Sequence, residues 1–325
     1  MSSPPAIVTV TMNPALDVTA WVDEWEPQVK LPSRKVRRDP GGGGVNVARM
    51  AARWLGSAAV EAVVALGGPT GDRHRGLLTA EGVTATVFPL AEETRETWQI
   101  TLADGGFYRI VHPGPCWRAQ EQTAFCDLVL DRLDATRPRW LVISGSLPEG
   151  VPATALSALI AAARARLPDL RIAVDSRGEA LVAALKTGVD LIKPDRREMA
   201  ELAAALGEGS GDSLTLARRM VAAGRARVFL YTRGAQGLVV VQKEDAWRWE
   251  PPAVEPVSLA GAGDFLLGTL IARLIGGDDW RTASQLAMAA AAATAATEGT
   301  MPPSPAAVTA LAPSCRLHRC PEPAP

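Results

Sequence analysis

Cysteine is scarce in this chain. The four at positions 116, 126, 315 and 320 have neither CxxC spacing nor the density of a disulfide scaffold, so reduced thiols are expected. There is no excess charge of either sign: 34 Lys and Arg stand against 35 Asp and Glu, a formal −1. That excludes a global field for nucleic acid or an acidic membrane, and leaves any anionic ligand to local basic residues. No apolar run approaches the length of a membrane span. Met1–Pro5 lacks the basic and apolar regions of a secretory signal, so a cytoplasmic protein is expected. There is no internal repeat. The absence of GxxxxGK(S/T), HRD and DFG argues against P-loop NTPases and protein kinases. Cys315 and Cys320 with His318 between them are too few for a convincing metal site.

What is present is a rhythm of short β-rich runs and Ala-rich helical stretches. Ile7–Met12, Ala59–Ala65, Trp140–Ser144, Arg171–Asp175, Val189–Ile192 and Arg227–Thr232 read as strands, several apolar throughout. Amphipathic stretches such as Val151–Arg166, Asp195–Leu206 and Leu214–Ala223 separate them. Continuous apolar strands joined by helices predict a parallel sheet covered on both faces, a doubly wound α/β sandwich. Asp17–Arg38, Thr97–Leu102 and Phe107–Val111 break this rhythm and read as a small antiparallel sheet projecting over a cleft. Surface hairpins with scattered Trp are the plainer alternative. Gly261–Ile275, Trp280–Ala296 and Pro305–Leu311 read as helices. One domain is therefore expected over 1–311, with lid segments at about 17–38 and 95–111, and the Pro-rich segment 312–325 is expected to be disordered.

Four motifs carry chemistry. Gly261-Ala262-Gly263-Asp264 opens a helix; small residues let backbone approach a ligand, the helix start offers free N–H groups to an anion, and Asp264 can accept a hydroxyl proton. A turn with Asp264 as helix cap fits the same residues. Gly41-Gly42-Gly43-Gly44 running into Val45-Asn46 is costly in chain entropy and implies a close backbone approach, unless it is a linker. Asp195 and Glu198, after Lys193-Pro194, share a helix face and suit Mg²⁺ or a capping box, and both can hold at once. Thr232-Arg233-Gly234-Ala235-Gln236-Gly237 is a phosphate cradle or a hairpin turn.

Together with Thr11–Asp17, Ser144–Pro148 and Val174-Asp175-Ser176, these segments in this order resemble the ribokinase-like PfkB family of carbohydrate kinases, over about Ile7 to Leu311. They look most like its phosphofructokinase branch, and the four glycines like the 6-phosphofructokinase subgroup. The resemblance implies a ribokinase-like three-layer sandwich with a mainly parallel sheet and a small projecting β-sheet lid. It implies ATP and Mg²⁺ as cofactors, a sugar phosphate as substrate, and a homodimer through the lid. Residue by residue, it implies Asp264 as base, with Gly261, Ala262 and Gly263 as anion hole. Asp17, Gly42, Gly43, Asn46 and Ser144 match the sugar side, while Lys30, Arg95 and Arg109 fall where the branch binds the substrate phosphate. Lys193, Thr232, Gly234 and Gly237 match the nucleotide side, and Asp195 and Glu198 the Mg²⁺-associated pair. The chain departs from the pattern at Asp195 (usually Asn), Phe265 (usually Ser), Leu259 and Ala260; Phe265 is expected to put bulk beside the base. 1-Phosphofructokinase and tagatose-6-phosphate kinase are the nearest alternatives. A catalytically silent sugar-phosphate sensor, or a vitamin or nucleoside kinase, would belong to other classes.

Overall fold

The computed structural model describes residues 4–207 and 212–321. Three strands precede the first helix: β1 Ile7–Thr11, β2 Ala15–Trp21, β3 Lys35–Gly41, then α1 Gly43–Leu55, β4 Val60–Gly67, α2 Gly68–Ala80 and β5 Thr84–Leu90. There follow β6 Arg95–Thr101, β7 Phe107–Val111, α3 Ala119–Thr136, β8 Trp140–Ser144, α4 Ala153–Arg166, β9 Arg171–Asp175, α5 Gly178–Thr187 and β10 Val189–Ile192. The chain continues through α6 Arg196–Ala205, α7 Ser213–Ala222, β11 Ala226–Thr232, β12 Leu238–Val241 and β13 Ala246–Glu250. It ends with α8 Ala262–Ile275, α9 Trp280–Ala295, α10 Pro305–Leu311 and β14 Arg316–Arg319. Local chemistry sets several helix starts. Asp195, Asp212, Asp279 and Ser304 each cap a helix by accepting an N–H three residues on, at Glu198, Thr215, Thr282 and Ala307.

The large sheet runs β14-β13-β12-β11-β10-β9-β8-β1-β4-β5, and every pairing from β11 to β5 is parallel. Successive residues of a strand face opposite sides, so each apolar strand feeds two cores. Val8, Leu141 and Ile143 join one with α3 to α7, while Ile7, Trp140 and Val142 join the other with α1, α8, α9 and α10. These are the three layers expected from the sequence.

Two corrections follow. The small sheet, β3-β2-β6-β7, is not antiparallel throughout: β2 and β6 run parallel, Ala15 beside Arg95 through Trp21 beside Thr101. The intervening chain passes through α1, β4, α2 and β5, so β6 is a crossover partner of β2 rather than its hairpin neighbour. The segment expected to be disordered after Leu311 also continues as structure, forming β14 antiparallel to β13 with Arg248 beside His318. Pairing needs only backbone groups, so a Pro-rich stretch can supply an edge strand once the prolines have passed. Residues 322–325 lie outside the described chain.

Trp247 and Trp249 project from β13 into the core beneath α9, and both indole N–H groups donate to one hydroxyl, Ser284 Oγ, at 3.2 and 2.8 Å. Ser284→Ala would strand two buried donors. Denaturant unfolding should show a loss of roughly 1–3 kcal/mol.

Candidate active site

In the large sheet the chain leaves β1 toward β4 and leaves β8 toward β9, in opposite directions, so a crevice opens where β1 and β8 meet. Ligands of open α/β sheets bind at such a point, outside the carboxyl ends of the strands. Helix α1 begins directly over it. A Cβ on Gly44 would stand 2.6 Å from Val10 O, and one on Gly43 would stand 2.3 Å from Ser144 Oγ. The glycine run is therefore a packing requirement, not a linker. Gly42, at φ 119°, turns the chain into the helix.

A cleft of about 890 Å³ extends from this point. One wall is the small sheet, which presents Arg95, Thr97, Arg109 and Val111; the floor is the strand ends with Ser144, Asp175 and Lys193. The far wall holds Asp195, Glu198, Thr232, Gly234, Gly237 and the start of α8. Seven Arg and Lys residues line the cleft against four carboxylates, although the chain as a whole carries −1. Local basic residues thus supply what the composition withholds.

Asp264 lies in the first turn of α8, behind Gly261, whose φ of 76° is left-handed. Asn46 Nδ2 donates to Asp264 Oδ2 at 2.9 Å. Desolvation, followed by the negative charge of Asp175, pushes Asp264 up to about 7, against the Asn46 bond and Lys193. Lys193 Nζ forms a buried ion pair with Asp175 Oδ1 at 2.9 Å, and Ser144 Oγ donates to Asp175 Oδ2 at 3.2 Å. Burial opposes the Lys193 charge, but Asp175, Asp264 and Glu198 outweigh it and hold its pKa above the ordinary value. A Cβ on Gly263 would come 3.2 Å from Lys193 Nζ, so the glycine keeps the ammonium close to the helix start. Of the three N–H groups expected to form an anion hole, that of Ala262 already donates to Leu259 O at 3.4 Å.

Asp195 and Glu198 form a complete capping box: each carboxylate accepts the other's backbone N–H, both at 2.8 Å. Both also line the cleft, and burial raises Glu198 to about 7. The Thr232–Gly237 segment is the β11–β12 hairpin turn. A Cβ on Gly237 would collide with Trp249 O at 1.9 Å, which explains that glycine before any ligand is considered.

Among the residues expected on the sugar side, Gly43, Ser144, Arg95 and Arg109 line the cleft; Gly42 and Asn46 stand just behind its wall. Asp17 shares a register row with Thr97 and Val111, and so a sheet face with them. Arg95 is partly engaged, donating to Asn13 O at 3.1 Å and Pro14 O at 3.3 Å. Arg109 has no hydrogen-bond or ion-pair partner among the described residues. Lys30 is exposed in the β2–β3 connection and does not line the cleft: a loop follows no strand register, so its position was not fixed by spacing. Phe265 is also corrected. It is fully buried in the core beneath Arg49, so it adds no bulk to the cleft. Sequence reasoning assigned no role to Asp175 or Arg177, although a carboxylate closing an apolar parallel strand was a usable signal.

Comparison with known proteins identifies relatives over most of the chain. The profile of the pfkB family carbohydrate kinase matches residues 8–307. The ATP-dependent 6-phosphofructokinase isozyme 2 of Escherichia coli (strain K12) is 34% identical over 296 residues, 90% of this chain and 94% of that protein. The 1-phosphofructokinase of Haloferax volcanii is 33% identical over 272 residues, 82% of this chain and 83% of that one. The crystal structure of phosphofructokinase-2 from Escherichia coli in complex with substrates and products superposes with a TM-score of 0.85 at 32% identity, covering 94% of this chain and 98% of that one.

The electrostatics of the floor can be tested directly. Asp175→Asn removes the carboxylate that raises Asp264 and frees Lys193 from its ion pair, and both changes act downward. Carbon-13 NMR of the Asp264 carboxyl should show titration near 7 in the wild type and clearly lower in the variant.

Proposed function

The chain belongs to the pfkB family of carbohydrate kinases, and we propose that it transfers the terminal phosphoryl group of ATP to the 1-hydroxyl of fructose 6-phosphate, giving fructose 1,6-bisphosphate and ADP. The observation that carries this reading is one cleft with two ends: Asp264 at the N-terminus of α8, and Arg95 with Arg109, which has no hydrogen-bond or ion-pair partner among the described residues, on the small sheet. A base alone would suit any alcohol. Two guanidinium groups beside it suit an alcohol that already bears a phosphate.

Phosphoryl transfer asks mainly for positioning, charge neutralisation and exclusion of water. Arg95 and Arg109 hold the 6-phosphate, and Asp17, Gly43 and Asn46 orient the sugar. Asp264, poised near neutrality, accepts the proton of the attacking hydroxyl. The first turn of α8 offers backbone N–H groups to the phosphoryl group in flight, and its dipole favours the negative charge. Lys193, fixed by Asp175, adds a cation on the phosphate path. Leu259, Leu266, Met288 and Ala291 form an apolar wall beside the Thr232–Gly237 turn that suits a purine base.

Magnesium fits the far wall. One Glu198 oxygen caps Asp195, the other has no hydrogen-bond partner among the described residues, and burial raises the group in a way that a cation would relieve. Asp195 likewise keeps one oxygen beyond its cap. Bound magnesium would neutralise the phosphate oxygens of the nucleotide.

A homodimer through the small sheet is supported by its exposed apolar side chains. Val36, Tyr108 and Ile110 are exposed on the face away from Arg109, and Trp25 packs on Tyr108 at 4.9 Å between ring centroids. The relative named 1-phosphofructokinase favours fructose 1-phosphate as the second reading of the acceptor.

Steady-state kinetics on fructose 6-phosphate, fructose 1-phosphate, tagatose 6-phosphate and fructose decides among these. Fructose 6-phosphate should give the highest kcat/KM. Arg109→Ala should lower it roughly 10- to 100-fold, the scale of a charge-assisted bond, with turnover of free fructose little changed. Arg95→Ala should do the same and also loosen the Asn13–Pro14 turn. Equal loss on all four sugars would mean that the arginines hold the lid rather than the phosphate. Asp264→Asn should fold, bind ATP and lose roughly 10²-fold or more in kcat; near-wild-type turnover would remove it as the base.

A further inference from the structure

Behind the sugar-side wall lies a buried polar network that the mechanism above does not use. Its centre is Arg49, in the middle of α1, with a side chain that solvent does not reach. Nη1 donates to Asn46 Oδ1 at 3.1 Å, to Pro40 O at 3.1 Å and to Thr300 O at 2.8 Å. Nε and Nη2 grip Glu81 at 2.8 and 2.7 Å. Thr300, in the loop between α9 and α10, is tied at all three polar groups: its N–H donates to Asp39 Oδ2 at 3.2 Å, its carbonyl accepts from Arg49, and its hydroxyl donates to Asp17 Oδ2 at 2.9 Å. Neither Arg49 nor Thr300 lines the cleft.

Donor chemistry gives this network a direction. A guanidinium only donates and stays charged, so the end of the Asn46 amide that meets Arg49 must be the oxygen. The Nδ2 end is then committed to Asp264. Without Arg49 the amide is free to turn over and offer an acceptor to the base, a repulsive pairing. Thr300 is fixed in the same way. With its backbone held on both sides, its hydroxyl donates to the carboxylate expected to grip the acceptor sugar.

We propose that Arg49 and Thr300 are positioning residues, Arg49 acting on the base through Asn46 and Thr300 acting on the acceptor through Asp17. The proposal rests on the kinase reading for the substrate half only. The charged groups facing Asp264 are Asp175 from β9, Lys193 after β10 and Asp17 from β2; those facing Asp17 are Arg109, Arg49, Arg95, Asp39 and Asp264. The Asn46 bond lowers the Asp264 pKa, so its loss must raise that pKa further. The base works deprotonated, so the acid limb of kcat against pH moves to higher pH.

The full-length enzyme provides the test. Thr300→Val should raise the KM for fructose 6-phosphate about tenfold and leave kcat and the KM for ATP within about twofold, and Thr300→Ser should restore the wild-type value. Arg49→Lys keeps the charge but cannot reach all four partners. It should lower kcat about tenfold and shift the acid limb alkaline, with the Asp264 carbon-13 titration moving the same way in the absence of substrate. A Thr300→Val enzyme in which all constants change together, or only the melting temperature falls, overturns the proposal, as does an Arg49→Lys enzyme with an unmoved titration. Should Arg49→Lys fail to fold, the Thr300 pair decides. A wild type inactive on every sugar phosphate would overturn the kinase reading instead, and the Asp264 titration in Arg49→Lys would then decide the positioning role.

Discussion

The close crossing of α1 and α8 is the constraint on which the site depends. Asn46 and Asp264 are 218 positions apart in sequence, yet they meet in one hydrogen bond because the two helices pack almost backbone to backbone. Gly268 permits it: a Cβ there would stand 2.7 Å from Val47 O and 3.0 Å from Met50 Cβ. The same crossing seats the start of α1 over the ends of β1 and β8 and the start of α8 beside Lys193. Two positive helix ends thus converge on one crevice, which concentrates a field that the net charge of −1 could never supply.

That convergence explains the pKa pattern. A carboxylate near two helix starts and an ammonium would ordinarily be acidic. Asp264 is instead raised to about 7, because desolvation and Asp175 outweigh the groups that favour its charge. The Lys193–Asp175 pair therefore has two effects. It keeps a buried ammonium charged, and it leaves enough uncompensated negative charge beside Asp264 to make that group a usable base at neutral pH.

Much of the fold was legible because its signals are local. Runs such as Trp140–Ser144 and Val189–Ile192 coincide with their strands residue for residue, since buried parallel strands need mostly apolar sequence, and the one charge, Asp190, is paired with Arg164. Asp264 and the glycines could be read because a helix start advertises itself in sequence. Thr300 could not: it is an ordinary threonine in a coil, given meaning by Asp17, Asp39 and Arg49 far away in the chain. Lys30 does not line the cleft of its own chain, being a charge in a loop with no register to aim it. Phe265 was misjudged because adjacency along a helix was taken for adjacency in space. Neighbouring residues point about 100° apart, and one turns to the cleft while the next turns to the core.

The edge strand β14 bears on how the molecule is made. Until Arg316–Arg319 emerges from the ribosome, β13 has an unpaired row of backbone groups along one side, above the two tryptophans anchored to Ser284. An open edge on a large sheet is an invitation to pair with another chain. A chain made only as far as β13 would thus present a sticky edge. β14 seals that side of the sheet, and its Arg and His side chains blunt the new edge.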